Sequence, residues 1–335
     1  MNFQDTPLRK TLFSTLRSIF TILSFLLISG NTSAQRYELE DFFRYIPRVE
    51  AKVDSIYNSL TEEQKAGQLI MVAAGKYGKS DDFVDRMVIE GKVGGVLLLN
   101  GTKEDFTQRV DRYDSLTKVN GHLPLIYSAD AEPSLIRYKI KGTSPVKNAD
   151  EHRSASEVRE TARTIAGDLN DIGITLDFAP VIDISTQNEA IGNRSFGSNS
   201  DSVVAWSRVF VDELQKQGVG ATIKHFPGHG MVKGDTHKKL VFIDGEMTEV
   251  PNYKPFCDNS AIAVMVGHIA VQNNDKYGTN GLPSTVSRKI VTDLLRGELG
   301  FNGIVVTDAM NMGGVRDIKD RSILALDQGR QENHR

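Results

Sequence analysis

Short apolar segments alternate with helical segments along most of this 335-residue chain. The short segments are apolar at successive positions, a pattern typical of strands buried on both faces of a parallel sheet. Helical segments separate most of them, such as residues 155–173, which are predicted to end as a helix at Gly173. This order predicts an α/β fold built from βαβ units. The predicted strands lie at the apolar end of residues 59–75 and within residues 93–100, 123–130, 174–180, 220–226, 261–268 and 303–310.

Polar side chains occur where several of these apolar segments stop. They are Asp130, Lys224, His225, His268 and Asp308. A parallel barrel gathers the carboxyl ends of its strands at one face, where active sites lie, and a doubly wound sheet does so at its switch point. The chain has neither a G-x-G-x-x-G after a strand nor a phosphate-binding P-loop motif, so a barrel is favoured over a doubly wound sheet.

Composition narrows the class of protein. The chain is 39% hydrophobic and 25% charged, with a net charge of −3, as in ordinary globular proteins. It contains no run of basic residues and no basic–aromatic patch, which argues against a nucleic-acid partner. Its length suits two small domains or one large α/β barrel. Cys257 is the single cysteine and cannot pair within the chain, so we expect it to be structural.

The first 34 residues have the order of a secretory signal peptide. Arg9, Lys10 and Arg17 precede the apolar run "SIFTILSFLLISG", and small residues follow up to Ala34. We predict cleavage near Ala34, export to the periplasm or the extracellular space, and no stable membrane span after the signal is removed. The alternative is a membrane anchor, but the apolar run is short for a span, which needs about 20 residues.

A set of short motifs runs in order through residues 55–315. It includes "LTEEQKAGQLIM", "VGGVLL", "DAE", "GITLDFAPVIDI", "NRSFG", "KHFPGHG", "GDTH", "MVGH" and "LRGELGFNGIVVTDAMNM". In content, order and spacing these motifs resemble the N-terminal barrel domain of glycoside hydrolase family 3, and within it the β-N-acetylglucosaminidase branch. The resemblance implies an α/β, TIM-like (β/α)8 barrel at residues 55–329. An N-terminal extension at 35–54 would precede it, and a polar tail at 330–335 would follow.

The resemblance also implies an activity. It implies an exported retaining glycoside hydrolase that removes terminal β-linked N-acetylglucosamine from a glycan, in carbohydrate metabolism or cell-wall glycan turnover. Retention requires a carboxylate nucleophile that forms a covalent glycosyl-enzyme. Asp308, at the end of "GIVVTD", matches the position of that nucleophile. The alternative is that Asp308 caps a following helix. No cofactor and no metal are implied.

The resemblance implies that the acid/base of this branch is a histidine. Here it would be His237, on the "GDTH" loop, with Asp235 two residues earlier. A carboxylate at that position can orient an imidazole and support its charged form. Histidine titrates near the operating pH, so it can donate a proton and then accept one. The alternative for His237 is an ordinary surface histidine.

Five further residues are implied to form the sugar pocket. Lys224 and His225 directly follow a strand and are implied to bind sugar hydroxyls. Asp130 can accept hydrogen bonds from two hydroxyls, and Arg194 can reach oxygen atoms with its planar fork. His268 belongs to the same face. Each has a purely structural alternative, which for Lys224 is a buried pair with a carboxylate.

The crowding of histidines in residues 224–240 raises metal binding as an alternative. His225, His229 and His237 could together hold zinc. Such H-x₃-H sites usually lie on a helix, however, and Pro227 and its neighbouring glycines would break one. We therefore expect His229 to hold the loop and Asp183 to order a loop rather than to act on substrate.

The chain departs from the family pattern in two places. Pro133 and Ser134 stand where many members have glycines, so the sugar-binding loop and the aglycone side are expected to differ. The chain then ends in the polar "RQENHR" rather than in an eighth strand. This leaves open a truncated member, a frameshifted tail, or a barrel without its last strand.

Two other functions stay open. One is a β-glucosidase-like or phosphorolytic relative on the same barrel. The other is an inactive, truncated barrel that only binds glycan. Hydrolysis of an aryl N-acetylglucosaminide distinguishes an enzyme from a binding protein, and dependence on phosphate distinguishes a phosphorylase from a hydrolase.

Overall fold

A curled parallel sheet forms the centre of the protein. The computed structural model describes residues 38–184 and 188–328, so the predicted signal peptide and the polar tail lie outside the described residues. Seven parallel strands follow one another across the sheet in chain order. They are β1 (Met71–Ala74), β2 (Gly95–Leu98), β3 (Ile126–Ala129), β4 (Leu176–Asp177), β5 (Gly220–Phe226), β6 (Ala263–Val266) and β7 (Ile304–Thr307).

Helices connect these strands and cover the outer face of the sheet. The helix that follows Thr61 begins where the sequence predicts, and Thr61 and Gln64 form the expected capping box. The α-helices are Pro47–Ser59, Glu62–Gly67, Asp81–Ile89, Lys103–Val119, Ile136–Lys139, Ala155–Ile172, Ser200–Lys216, Lys254–Cys257 and Arg321–Gln328. Short 3-10 helices are Leu39–Phe43, Ala149–Glu151, Gly192–Arg194, Val250–Tyr253 and Ser284–Val286, and Lys289–Glu298 is a π-helix.

Alternation along the strands produces two apolar cores. Ile126, Leu176 and Ile304 point into the curled sheet and form the inner core. Their sequence neighbours, such as Tyr127 and Val305, point outward and pack against the helices in a larger core. Within residues 38–184 and 188–328, β1 and β7 each have one neighbour in the sheet. The prediction of a TIM-like barrel that lacks its last strand is therefore confirmed.

Two predicted elements take a different form. The strand expected in residues 174–180 is only two residues long. It ends early because Pro180 has no N–H to donate to a sheet, and Val181 then bridges to Ser195 and Lys224. The helix expected in residues 291–301 has π geometry, with Leu299 N–H donating to the Leu294 carbonyl at 2.9 Å.

Two small parallel sheets lie outside the barrel. Gly101–Thr102 pairs with Ile140–Lys141, and Val241–Asp244 pairs with Ile269–Gln272. The second pair matters for the site because it joins the segment after β5 to the segment after β6. No helix within the described ranges combines the length and the apolar character that a membrane crossing requires.

Cys257 is buried at the end of a short helix. Burial raises the pKa of its thiol to about 11, so the thiol stays protonated at neutral pH. The thiolate is the reactive form of cysteine. The structure therefore agrees with a structural role for Cys257.

Candidate active site

Buried charges meet where β3 and β5 end. The Lys224 ammonium lies 3.0 Å from Asp130 Oδ1 and 2.5 Å from Glu132 Oε1. Glu132 also accepts two hydrogen bonds from the Arg194 guanidinium, from Nε at 2.8 Å and from Nη2 at 2.7 Å. Lys139 approaches the other oxygen of Asp130, at 4.0 Å. The structure thus brings together three predicted sugar-binding residues, Asp130, Arg194 and Lys224.

Glu132 was not among the predicted site residues, although it lies two positions after Asp130 in the "DAE" motif. Its side chain is fully buried between the two cations. Burial acts to raise the pKa of Glu132, but the charges of Arg194 and Lys224 outweigh it and hold this pKa well below the usual range. Burial acts to lower the pKa of Lys224, but the carboxylates of Asp130 and Glu132 outweigh it and raise this pKa. Glu132 and Lys224 are therefore both charged at neutral pH.

His225 is held in one orientation by Asp183. The imidazole Nδ1 lies 2.7 Å from Asp183 Oδ2, and the backbone N–H of His225 donates to the same carboxylate. A carboxylate partner makes Nδ1 the protonated nitrogen, so Nε2 is left as an acceptor. Arg194 Nη2 lies 3.5 Å from Nε2. His225 therefore turns an acceptor nitrogen toward the charged cluster of the site.

Asp183 also accepts the backbone N–H of His229 at 2.7 Å, which is the loop-ordering role expected of it. Burial alone would raise the pKa of Asp183, but His225 and His229 lower it. The His229 ring is buried, with Nε2 3.2 Å from the Thr236 hydroxyl. Burial lowers the pKa of His229, so this ring is neutral and holds the loop, as predicted.

Asp235 and His237 form a hydrogen-bonded pair on an exposed loop. His237 Nδ1 lies 2.7 Å from Asp235 Oδ1, which also accepts the His237 backbone N–H at 2.9 Å. The side chain of His237 is 65% exposed and that of Asp235 is 20% exposed. Partial burial raises the pKa of Asp235, but the two bonds from His237 lower it overall. A charged, anchored carboxylate thus supports an imidazole that is open to solvent.

The loop that carries this pair is bound to the segment that follows Asp308. The Gly313 N–H donates to the His237 carbonyl at 3.1 Å, and the Gly314 N–H donates to the Thr236 carbonyl at 3.0 Å. The structure therefore places the backbone of the predicted acid/base against the chain segment of the predicted nucleophile.

Asp308 directly follows β7 and is half-buried. Its backbone N–H donates to the Val266 carbonyl, and its Oδ1 accepts the Ala309 N–H at 2.8 Å. Burial acts to raise the pKa of Asp308, but His225, His268, the Ala309 N–H and the Lys224 ammonium together lower it below its ordinary value. Residues 309–320 form turns and not a helix, so the helix-cap alternative for Asp308 is wrong.

His268 is buried on the same face, but both of its ring nitrogens contact protein groups. Nε2 lies 3.0 Å from the Ala309 carbonyl, and Nδ1 lies 3.0 Å from the Thr285 hydroxyl. A carbonyl can only accept, so Nε2 carries the proton. Burial lowers the pKa of His268 and keeps it neutral. In this arrangement His268 fixes the residue next to Asp308 and leaves no ring nitrogen for a sugar.

Glu249 is a second site residue that the sequence reasoning missed. Its buried carboxylate accepts the Ile184 N–H at 2.6 Å on one oxygen, and the N–H groups of Gly230 and Met231 at 2.9 and 3.2 Å on the other. Burial and the charge of Asp183 raise the pKa of Glu249 to about 7. Glu249 thereby joins the loop after β4 to the loop after β5.

Gly230 fits where no other residue would. A Cβ atom at this position would lie 1.9 Å from the Ile184 carbonyl oxygen, far inside contact distance. Ser134, one of the departures from the family pattern, is also buried. Its hydroxyl donates to the Asn193 carbonyl at 2.6 Å and accepts the Ala149 N–H at 2.9 Å, which ties the loop after β3 to the loop that bears Arg194.

The three clustered histidines take three different partners. His225 contacts Asp183, His229 contacts Thr236, and His237 contacts Asp235. Throughout the part of the chain that the structure describes, no group of three histidine, cysteine or acidic residues is arranged to hold a metal ion.

Comparison with known proteins shows which family this chain belongs to. Residues 61–330 match the family described as Glycosyl hydrolase family 3 N terminal domain. The chain belongs to glycosyl hydrolase family 3. It is therefore a glycosidase by family.

Its relatives include proteins named as β-hexosaminidases and β-N-acetylglucosaminidases. The chain is 32% identical over 291 residues to the β-hexosaminidase LpqI of Mycobacterium tuberculosis, covering 82% of this chain and 72% of that protein. Among solved structures, a family 3 β-N-acetylglucosaminidase from Paenibacillus superposes with a TM-score of 0.74 at 28% identity, covering 81% of this chain and 54% of that one. A β-N-acetylhexosaminidase from Beutenbergia cavernae gives 0.73 at 27% identity, covering 81% and 86%.

Proposed function

We propose that this protein is a retaining β-N-acetylhexosaminidase that releases terminal β-linked N-acetylglucosamine. One observation carries the proposal: the Asp235–His237 pair lies on a loop whose backbone is hydrogen-bonded to the segment that follows Asp308. A nucleophile and an acid/base are thereby supplied by adjacent pieces of chain at one mouth of the barrel. The names of the relatives support the choice of amino sugar.

In the first step, Asp308 attacks the anomeric carbon and the bond to the leaving oxygen breaks. Its lowered pKa keeps it ionised and ready to attack. His237 donates a proton to the leaving oxygen, which departs with the bonding electron pair as an alcohol. In the second step, His237 accepts a proton from water, and the water oxygen replaces Asp308 on the sugar.

The cluster around Lys224 supplies the recognition site. Asp130 keeps part of its surface exposed at the mouth, while Lys224 and Glu132 are buried behind it. Charged acceptors and donors at fixed positions bind hydroxyl groups more strongly than neutral ones do. A sugar that lacks a matching hydroxyl would leave one of these charged side chains without its contact, and would therefore bind more weakly. His225 Nε2, 3.5 Å from Arg194 Nη2, lies at the same surface.

The first test is a panel of substrates on the purified chain. The proposal expects hydrolysis of an aryl N-acetyl-β-glucosaminide, weaker hydrolysis of the matching glucoside, and no requirement for phosphate. Asp308→Asn should abolish turnover and preserve the circular dichroism spectrum. No turnover of either glycoside by the wild type would favour the glycan-binding alternative, and phosphate-dependent turnover would favour a phosphorylase.

Export and a role in cell-wall glycan turnover are part of the proposal. Export is supported by the order of charged, apolar and small residues in 1–34. Mass determination of the chain recovered from cells should give a mature form that starts near Gln35, outside the cytoplasm. An intact chain beginning at Met1 in the cytosol would contradict export, and an inability to act on N-acetylglucosamine-containing cell-wall fragments would contradict the proposed role.

A further inference from the structure

A buried carboxyl group that the mechanism does not use lies directly behind the sugar-binding turn. It belongs to Asp177, the last residue of β4, which is completely buried. Its Oδ1 accepts the backbone N–H of Ala131 at 2.9 Å. Its Oδ2 is also buried, and within residues 38–184 and 188–328 it has no hydrogen-bond partner.

The direction of this side chain follows from alternation along β4. Leu176 and Phe178 both belong to the inner core of the curled sheet. Asp177 lies between them in sequence, so it points to the opposite side, toward the helices. It therefore reaches Ala131 from behind, while Asp130 and Glu132 on either side of Ala131 contact Lys224 on the site side.

The charges around Asp177 disfavour its ionised form. The charged groups that act on it are the carboxylates of Asp130 and Glu132 and the ammonium of Lys224. Lys224 is already shared between those two carboxylates. A third buried negative charge would have one backbone N–H and no further donor. Burial is the largest cause, and with the two carboxylates it raises the pKa of Asp177 to about 8.

We infer that Asp177 is a positioning residue for the sugar-binding turn Asp130–Glu132, and that it performs this role as a neutral carboxylic acid. The inference rests on the proposed function, because the turn matters through the sugar that it holds. Its Ala131 bond fixes the backbone from which Asp130 and Glu132 project. Loss of its proton places a negative charge beside those two carboxylates, and this charge competes with them for Lys224.

The inference separates two substitutions that both remove the ionisable group. Asp177→Asn keeps a carbonyl oxygen for the Ala131 N–H and is always neutral, so it imitates the protonated acid. Asp177→Ala removes the acceptor and leaves the buried N–H unsatisfied. We expect Asp177→Asn to retain wild-type KM and kcat at pH 6, and Asp177→Ala to raise KM about tenfold with a smaller change in kcat.

The pH profile is the second measurement. In the wild type, KM should rise above pH 8 as Asp177 ionises. In Asp177→Asn this alkaline rise should be absent. Asp168→Asn is the matched control, because Asp168 is a buried carboxylate that binds Lys103 and the Ser144 N–H outside the site. It should lower thermal stability and leave the pH dependence of KM unchanged.

Thermal unfolding tests the inference without any substrate. Asp177 ionises near pH 4 in the unfolded chain and near pH 8 in the folded one, so it lowers stability progressively as the pH rises between these values. Asp177→Asn should therefore raise Tm at pH 7.5 and change it little at pH 4. If the wild type cleaves no N-acetylglucosaminide but this Tm pattern is found, the proposed function fails and the neutral Asp177 stands.

Two results would overturn the inference. One is an unchanged KM in a folded Asp177→Ala variant, which would show that the Ala131 bond does not position the turn. The other is an Asp177→Asn variant that loses stability at pH 7.5 and keeps the alkaline rise in KM. That result would show that Asp177 is charged in the native state.

Discussion

Nδ1 of His237 lies 2.7 Å from Oδ1 of Asp235, although the His237 ring is largely open to solvent. An exposed imidazole with a fixed carboxylate partner can approach a bound glycoside while it keeps one tautomer. In the proposed mechanism the other ring nitrogen, Nε2, exchanges a proton with the leaving group. The arrangement predicts how variants of this pair respond to the chemistry of the leaving group.

His237→Ala should be impaired most on substrates with poor leaving groups. Such groups need a proton as the bond breaks, whereas an activated aryl leaving group departs without one. We expect a loss of roughly 10²–10⁴-fold in kcat/KM on a natural disaccharide and a much smaller loss on an aryl glycoside. Asp235→Asn should show the same pattern more mildly, and added azide should partly restore turnover of His237→Ala. An equal loss on both substrates would exclude His237 as the acid.

Glu249→Ala should reproduce part of the His237→Ala behaviour, although Glu249 itself lies outside the loop that bears His237. Removal of the carboxylate frees three backbone N–H groups, two of which lie in the loop after β5. We expect a selective loss on poor leaving groups, measured as the ratio of kcat/KM for the two substrates. Glu246→Ala is the control, since Glu246 lies three residues away and is exposed. A ratio that stays at the wild-type value would mean that Glu249 does not position the acid/base loop.

Glu132→Gln should impair both stability and binding. It removes the anion that Lys224 and Arg194 share, and breaking a buried pair of this kind costs about 3–5 kcal/mol. KM should rise because both cations lose their fixed positions. Glu213→Gln is a matched control, because buried Glu213 pairs with Arg163 on the outer helices. It should lower Tm and leave KM near the wild-type value.

The lowered pKa of Glu132 also predicts how the free energy of unfolding changes at acidic pH. The pKa of Glu132 is depressed in the folded protein, so its contribution is complete above the ordinary glutamate pKa, near pH 4.3, and declines as the pH falls below that value. Denaturant titrations at pH 3 and pH 6 should differ more for the wild type than for Glu132→Gln. Equal differences for the two proteins would show that Glu132 is not the group responsible.

Thiol reagents should have no effect on the native enzyme. The Cys257 thiol is buried, and burial raises its pKa to about 11. We expect activity to be unchanged after incubation with iodoacetamide at pH 7 and labelling to appear only on unfolding. Cys257→Ala should likewise keep kcat/KM. Rapid inactivation of the folded protein by the reagent would place the thiol at an accessible position.

The sequence predicts those features that a local pattern encodes. Asp308 and Lys224 are found because each is a polar residue near the carboxyl end of an apolar strand, and the capping box at Thr61 is found because its two partners lie three residues apart. The parallel α/β architecture follows from the alternation of apolar and helical segments. Even the short strand β4 is marked by Pro180, whose missing N–H limits its length.

The remaining features depend on contacts between distant residues. Glu132 meets Arg194 across 62 positions, and Glu249 meets Ile184 across 65. Neither carboxylate stands in a local pattern that indicates its partner. Asp177 is a further case, because its environment is created by a turn 46 residues earlier. Burial and charge pairing of this kind arise only when the strands are brought together.

The close approach of Gly230 to Ile184 has a consequence for redesign of this enzyme. With 1.9 Å between a would-be Cβ and the Ile184 carbonyl oxygen, neither loop can be replaced while the other is kept. Residues 183–184, residues 228–231 and Glu249 form one cassette. A graft from a relative with another sugar preference must therefore transfer all three pieces together.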